Sequence, residues 1–246
     1  MTLPHHPRPA MLLPAVPRTR VLPHPTGRPA VDTPFGPLTF TTTLDGTTLP
    51  PVPDELFALP GDGRTLARWT THATTVELLL TPYDAALDPE VWSPLIASHA
   101  AVWRVETRSA LAHVRFTATL PRHLPEGADA SYDGGQSLAA VTVEDERVKL
   151  SIGGDDDVAL CEAAGSTTPR HWAPLVDEAY ERTNTSWGID YGRYHGITWR
   201  LPPLRPGDHC ELPVVVAWSD AADDTANTWY AVTASSSYLL ARTAES

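Results

Sequence analysis

Residues 109–120 read SALAHVRFTATL, and from Val114 onward apolar and polar side chains alternate: Val114, Phe116, Ala118 and Leu120 against Arg115, Thr117 and Thr119. A period of two sends the two sets to opposite faces of a strand, whereas a helix would scatter the same four apolar residues around its axis. The stretch therefore reads as a half-buried strand. The pattern recurs over 37–44, 65–71, 74–81, 100–107, 137–143, 146–152, 196–202, 210–218 and 228–239. Turn signals separate these runs at Gly61-Asp62-Gly63, Pro125-Glu126-Gly127, Asp133-Gly134-Gly135, Gly153-Gly154-Asp155 and Pro206-Gly207-Asp208. Many short strands at this spacing predict a mainly β fold, an antiparallel, supersandwich-like β-sandwich.

Two segments break the rhythm. Residues 89–100, PEVWSPLIASHA, suggest a short helix or turn with Asp88 as N-cap. Residues 168–183, TPRHWAPLVDEAYERT, are the better helix, with Thr168 as cap, Pro169 at the first position and Trp172, Leu175, Val176 and Tyr180 on one stripe. Pro174 removes a backbone donor and predicts a kinked start. Fourteen of the 25 prolines lie in the first 60 residues, which argues against a regular helix or a central strand in the N-terminal arm and leaves it extended or loop-like. The expected organisation is a proline-rich extended arm over 1–36 and a single β-sandwich domain over 37–246.

Composition narrows the function classes. A net charge of -12 and a pI of about 5.2 argue against a nucleic-acid partner, and Arg8, Arg18, Arg20 and Arg28 form too small a basic cluster to change that. No stretch of about 20 apolar residues is available to span a bilayer. Cys161 and Cys210 are too few for a disulfide scaffold and read as buried, reduced thiols. A bacterial, cytoplasmic setting is the expectation, since Lys149 is the one lysine beside abundant Arg, Ala and Pro, as G- and C-rich coding produces.

Catalytic signatures are missing: there is no Gly-x-Ser-x-Gly elbow, Walker loop, CxxC pair or HExxH helix. His5-His6 lie in the arm, and His209 and Cys210 are strand neighbours pointing opposite ways, so neither pair reads as a metal site. No cofactor is required. Asp155, Asp156 and Asp157, read as an acidic hairpin loop, are the candidate ligands for a divalent cation such as calcium.

The strongest candidate site is residues 184–199, NTSWGIDYGRYHGITW. Aromatic faces stack on sugar rings, and glycines let a ligand approach the backbone. Trp187, Tyr191, Arg193, Tyr194 and His195 are the candidate ligand-binding residues, for a glycan or similar polar small molecule. Trp199, in the strand GITWRLP, is assigned to packing. Two other readings stay open. One is a cyclase- or isomerase-type enzyme taking acid–base help from Asp190, Tyr191, Tyr194 or His195. The other is an interaction subunit whose arm engages a second copy or another protein chain.

Residues 197–220, ITWRLPPLRPGDHCELPVVVAWSD, followed by the aromatic run NTWYAVTASSSYL up to about residue 240, resemble the closing strands of a known sandwich. It is the β-sandwich domain that precedes the helical-barrel catalytic domain in bacterial and non-lysosomal glucosylceramidase-type glycosidases. Leu204, Pro206, Gly207, Asp208, Ala217 and Trp218 carry the match. The resemblance implies a sandwich without the helical domain that houses the catalytic carboxylates, hence an accessory or partner subunit, and carries over no catalytic residue.

Overall fold

The computed structural model describes residues 19–20, 27–59, 63–83, 95–135, 137–181, 185–192, 195–222 and 227–232. It is a sandwich of two antiparallel sheets, as the alternation predicts. The larger has nine strands, in the spatial order β1 (Thr19–Arg20), β5 (Glu55–Ala58), β6 (Thr65–Thr70), β7 (Thr74–Pro82), β8 (Ala97–Thr107), β15 (His209–Asp220), β12 (Val148–Asp155), β11 (Leu138–Glu144) and β10 (Asp129–Gly135). The smaller runs β13 (Gly188–Asp190), β14 (Gly196–Leu201), β9 (Val114–Thr119), β3 (Gly36–Leu44) and β2 (Ala30–Thr33), with β4 (Thr47–Thr48) paired to β3. Strand β2 pairs along β3 from Ala30↔Thr39 to Thr33↔Gly36, so the last residues before position 37 are built into the sandwich. Among the described residues no helix is long and apolar enough to cross a membrane.

The alternation over 114–120 is the floor of the core. Val114, Phe116, Ala118 and Leu120 are buried, and Phe116 stacks on Trp103 of β8 at 5.0 Å between ring centroids. Phe40 of β3 meets the same indole edge-on at 5.4 Å. Aromatic pairs in these geometries contribute beyond the area they bury, and here they join the two sheets. The outer face of the larger sheet is buried as well, by a second apolar layer that includes Leu66, Leu79, Val102, Val215 and Ala217. This explains the unbroken apolar runs in β7 and β15: strands covered on both faces have no reason to alternate.

Beside that layer the same outer face carries charge. Glu55, Arg68, Glu77, Arg104 and Glu211 lie directly opposite one another across β5, β6, β7, β8 and β15. Arg68 donates to Glu77 through Nε (2.8 Å) and to Glu55 through a terminal nitrogen (2.9 Å). Arg104 lies 3.3 Å from Glu106 and 3.8 Å from Glu211. Glu77 and Arg104 are 4% and 2% exposed, so this ladder of alternating sign is desolvated at its centre and most open to water at its Glu55 end.

Several expectations need correction. Residues 97–100, expected in a short helix or turn over 89–100, belong to β8, while 84–94 lie outside the described residues. The segment 168–183 is a 3-10 turn over Arg170–Leu175 followed by α2 (Val176–Glu181). Pro174 sits in the 3-10 turn, whose tighter winding shifts the phase, so Trp172 is buried while Tyr180 points out. Thr168 does not cap; its hydroxyl donates to the Leu160 carbonyl. Where one helix was expected there are two more, α1 (Asp157–Glu162) and α3 (Asn227–Ala231), the latter within a stretch expected as strand over 228–239. Residues 233–246 lie outside the described residues.

Two glycine signals lie within strands rather than at turns. Gly153 and Gly154 lie inside β12, where an added Cβ would come 2.6 Å from the Ala139 carbonyl oxygen and 2.5 Å from that of Pro213. Asp133, Gly134 and Gly135 likewise complete β10. Pro206-Gly207-Asp208 is a turn, but it leads from β14 in one sheet to β15 in the other rather than closing a hairpin.

The charge ladder yields a graded expectation. Glu77→Gln removes the buried carboxylate that accepts from the Arg68 guanidinium and should cost about 3–5 kcal/mol. Glu55→Gln, at the exposed end, should cost under about 1 kcal/mol. Urea denaturation of both variants checks this, and equal costs would show that burial does not set the ladder's strength.

Candidate functional site

The loop that drew attention in the sequence becomes one wall of a cleft of about 710 Å³ where the edges of the two sheets meet. Strand β13 runs along β14, with Gly188 opposite Arg200 and Asp190 opposite Thr198. Trp187, just before β13, is buried and faces the cleft, its carbonyl accepting from the Thr185 hydroxyl at 2.8 Å. Gly188 has φ +124°, a conformation open to glycine and rarely to other residues. A Cβ on it would sit 3.4 Å from Asp157 Oδ2.

The opposite wall comes from elsewhere in the chain. Strand β12 ends at Asp155, Asp156 adopts an extended backbone, and its carboxylate accepts from the Ala159 N–H at 2.8 Å, capping α1. Asp157 and Val158 of α1 and Glu178, Ala179 and Tyr180 of α2 also line the cleft. The β10–β11 hairpin supplies Gly134, Gly135, Ser137 and Leu138 at the rim. Tyr132 of β10 packs on Tyr191 with ring centroids 4.4 Å apart and planes tilted by 35°, tying the loop after β13 to the edge of the larger sheet. Gly134 leaves room for this: its missing Cβ would lie 3.6 Å from the Tyr132 ring and 3.8 Å from the Tyr191 hydroxyl.

The predicted residues therefore divide. Trp187 and Tyr191 line the cleft. Arg193 and Tyr194 lie outside the described residues. Asp190 is exposed, and its carboxylate accepts from the Gly192 N–H at 3.0 Å, a local turn contact. His195 stands at the head of β14, where its carbonyl accepts from Leu120 and its Nδ1 is buried without a hydrogen-bond partner; it is not among the cleft-lining residues. Trp199 is fully buried, as assigned, and donates from Nε1 to the Asp155 carbonyl at 2.9 Å.

Asp155, Asp156 and Asp157 do not form the hairpin loop expected of them. They mark a strand end, a helix cap and a first helical turn. Among the described residues no cluster of three or more His, Cys, Asp or Glu side chains could hold a metal. The residues sequence reasoning missed are Tyr132, Glu178 and Arg200. Arg200 lines the cleft, and its Nε is buried with no hydrogen-bond partner. Alternation in GITWRL puts Arg200 on the face opposite Trp199, which was the available signal.

Electrostatics differ between the cleft and its back. Burial, reinforced by the neighbouring charge of Asp156, pushes the Asp155 carboxyl up to about 6. Burial also raises Asp156, against the pull of the Ala159 N–H. Cys161 and Cys210 are free and buried; burial pushes the Cys161 thiol up to about 12 and Cys210 higher, so neither is a nucleophile at neutral pH.

No family model matches the sequence, and no curated protein matches it. Solved structures resemble it in fold. One chain described as a putative kojibiose phosphorylase from the human microbiome aligns with a TM-score of 0.50 at 7% identity over 86% of this chain and 27% of that one. A polysaccharide lyase aligns with a TM-score of 0.35 at 14% identity, over 76% of this chain and 26% of the lyase. The chain thus spans about a quarter of each of these proteins. The likeness to the phosphorylase is one of fold, and the glycosidase-type resemblance of residues 197–220 holds at that level, with no specific family behind it.

The raised Asp155 gives a pH signature. The folded state binds this proton more tightly than the unfolded chain, so stability falls as pH rises from about 4 to about 6 and levels off above. Asp155→Asn should leave stability unchanged near pH 4 and raise it near pH 8, by on the order of 1–3 kcal/mol. Denaturation curves at the two pH values check this; an equal effect at both would rule out the proton linkage.

Proposed function

We propose that the protein binds a carbohydrate in this cleft, serving as an accessory β-sandwich rather than as a catalyst. The observation that carries the reading is that Trp187 and Tyr191, the latter packed on Tyr132, line one cleft with Asp157, Glu178 and Arg200. Sugar rings present apolar C–H faces to aromatic rings and hydroxyls to charged groups, and this cleft offers both kinds of partner. A volume of about 710 Å³ suits a ligand of a few rings.

Binding is favoured over acid–base chemistry because, of Asp190, Tyr191, Tyr194 and His195, the described part of the cleft includes Tyr191 alone. The fold shared with part of the phosphorylase chain is compatible with a carbohydrate role, but the reading rests on the cleft.

Titration calorimetry with neutral oligosaccharides tests it. At least one should bind, and Tyr191→Ala should weaken that binding about tenfold while leaving the denaturation midpoint within about 1 kcal/mol of wild type. Should every oligosaccharide fail to bind the wild-type protein, the carbohydrate reading is wrong.

A further inference from the structure

Resting on the cleft as a sugar site, we propose that the slot beside Gly188 seats a hydroxyl group of an uncharged sugar, held between Asp157 and Arg200, and that the same pair turns away anionic sugars. The slot follows from register. Paired residues in an antiparallel ladder project to the same face, so the side chain missing at Gly188 leaves its place open next to Arg200. Asp157 Oδ2 borders that place at 3.4 Å from where the Cβ would be. The φ of +124° at Gly188 keeps the slot open, because a larger residue would be strained there whatever the space.

Two groups of opposite charge border one slot without joining. Among the described residues Arg200 and Asp157 take part in no ion pair, and the Arg200 Nε is buried with no acceptor. A buried donor left unmade is costly, so the slot favours a ligand atom that accepts from it. The carboxylate opposite asks for a donor. A hydroxyl does both through a single oxygen, accepting from the guanidinium and donating to the carboxylate.

Charged ligand groups satisfy one side and offend the other. A carboxylate or phosphate would meet Arg200 but stand against Asp157, with Asp156 and Glu178 lining the same cleft. An ammonium would meet Asp157 and stand against Arg200. Arg115, the cross-strand neighbour of Arg200, is exposed and is not a lining residue.

The test starts with a comparison of ligands on the unaltered protein. Calorimetry is run with a neutral oligosaccharide that binds, its uronate counterpart, its amino-sugar counterpart and its monodeoxy series. The uronate should bind at least tenfold more weakly, the amino sugar no more tightly than the neutral parent, and one deoxy position should lose about tenfold. Asp157→Asn and Arg200→Gln should each weaken the parent sugar and erase the penalty at that same deoxy position. A uronate or amino sugar that outbinds the neutral parent overturns the proposal, as does a flat deoxy series. In those cases a Tyr191→Ala loss would leave the sugar site standing, whereas no binding by any sugar overturns both.

Discussion

The architecture depends on keeping both faces of the central strands of the larger sheet away from water. Strands β7, β8 and β15 are buried almost throughout, with the smaller sheet covering one face and a separate apolar layer building on the other. Trp103 shows how tightly the first face is closed, since it is fully buried between Phe40 of one strand and Phe116 of another. Because the middle of the sandwich is committed to packing, open space is found at its margin, where strand edges β10 and β13 approach and the short helices α1 and α2 fill in beside them. The cleft is a product of that geometry.

Strand content was legible where one face is wet. The alternation in β9 and β14 places Val114, Phe116 and Trp199 inward with no further information. It was less legible where local chemistry had two uses. Gly153-Gly154 carries the residue type of a turn, yet here glycine allows neighbouring strands to pass within contact of a bare Cα. Asp156 and Asp157 carry the composition of a hairpin loop, yet an aspartate is equally a helix cap, and the carbonyl of Ser137, just before β11, accepts the Asp156 N–H. The run NTWYA suits a strand by its aromatics, but it packs as a helix over the outer apolar layer, where tertiary contacts outweigh β propensity.

The candidate site was half legible for a related reason. A loop rich in aromatics and glycines marks one wall, and Trp187 and Tyr191 were found that way. Asp157, Glu178 and Arg200 line the rest of the cleft and Tyr132 packs on Tyr191; these residues are separated by up to 68 positions, and no spacing in the chain brings them together. Only the crossing of strands between sheets places them at one margin. The acidic triplet is divided by the fold: Asp155 ends a strand, Asp156 caps α1, and Asp156 and Asp157 both line the cleft.

The alternating ladder of Glu55, Arg68, Glu77, Arg104 and Glu211 also bears on which folds the chain avoids. Sliding any one of these strands by a single residue would turn its charge into the aromatic layer around Trp103 and expose apolar side chains in exchange. Mispaired sheets would thus be high in energy at several strands together, which widens the gap between the native pairing and its near neighbours. In a sheet of nine strands, many with similar Val- and Ala-rich stretches that could pair in more than one way, the ladder works as an index that tells the strands where to stop.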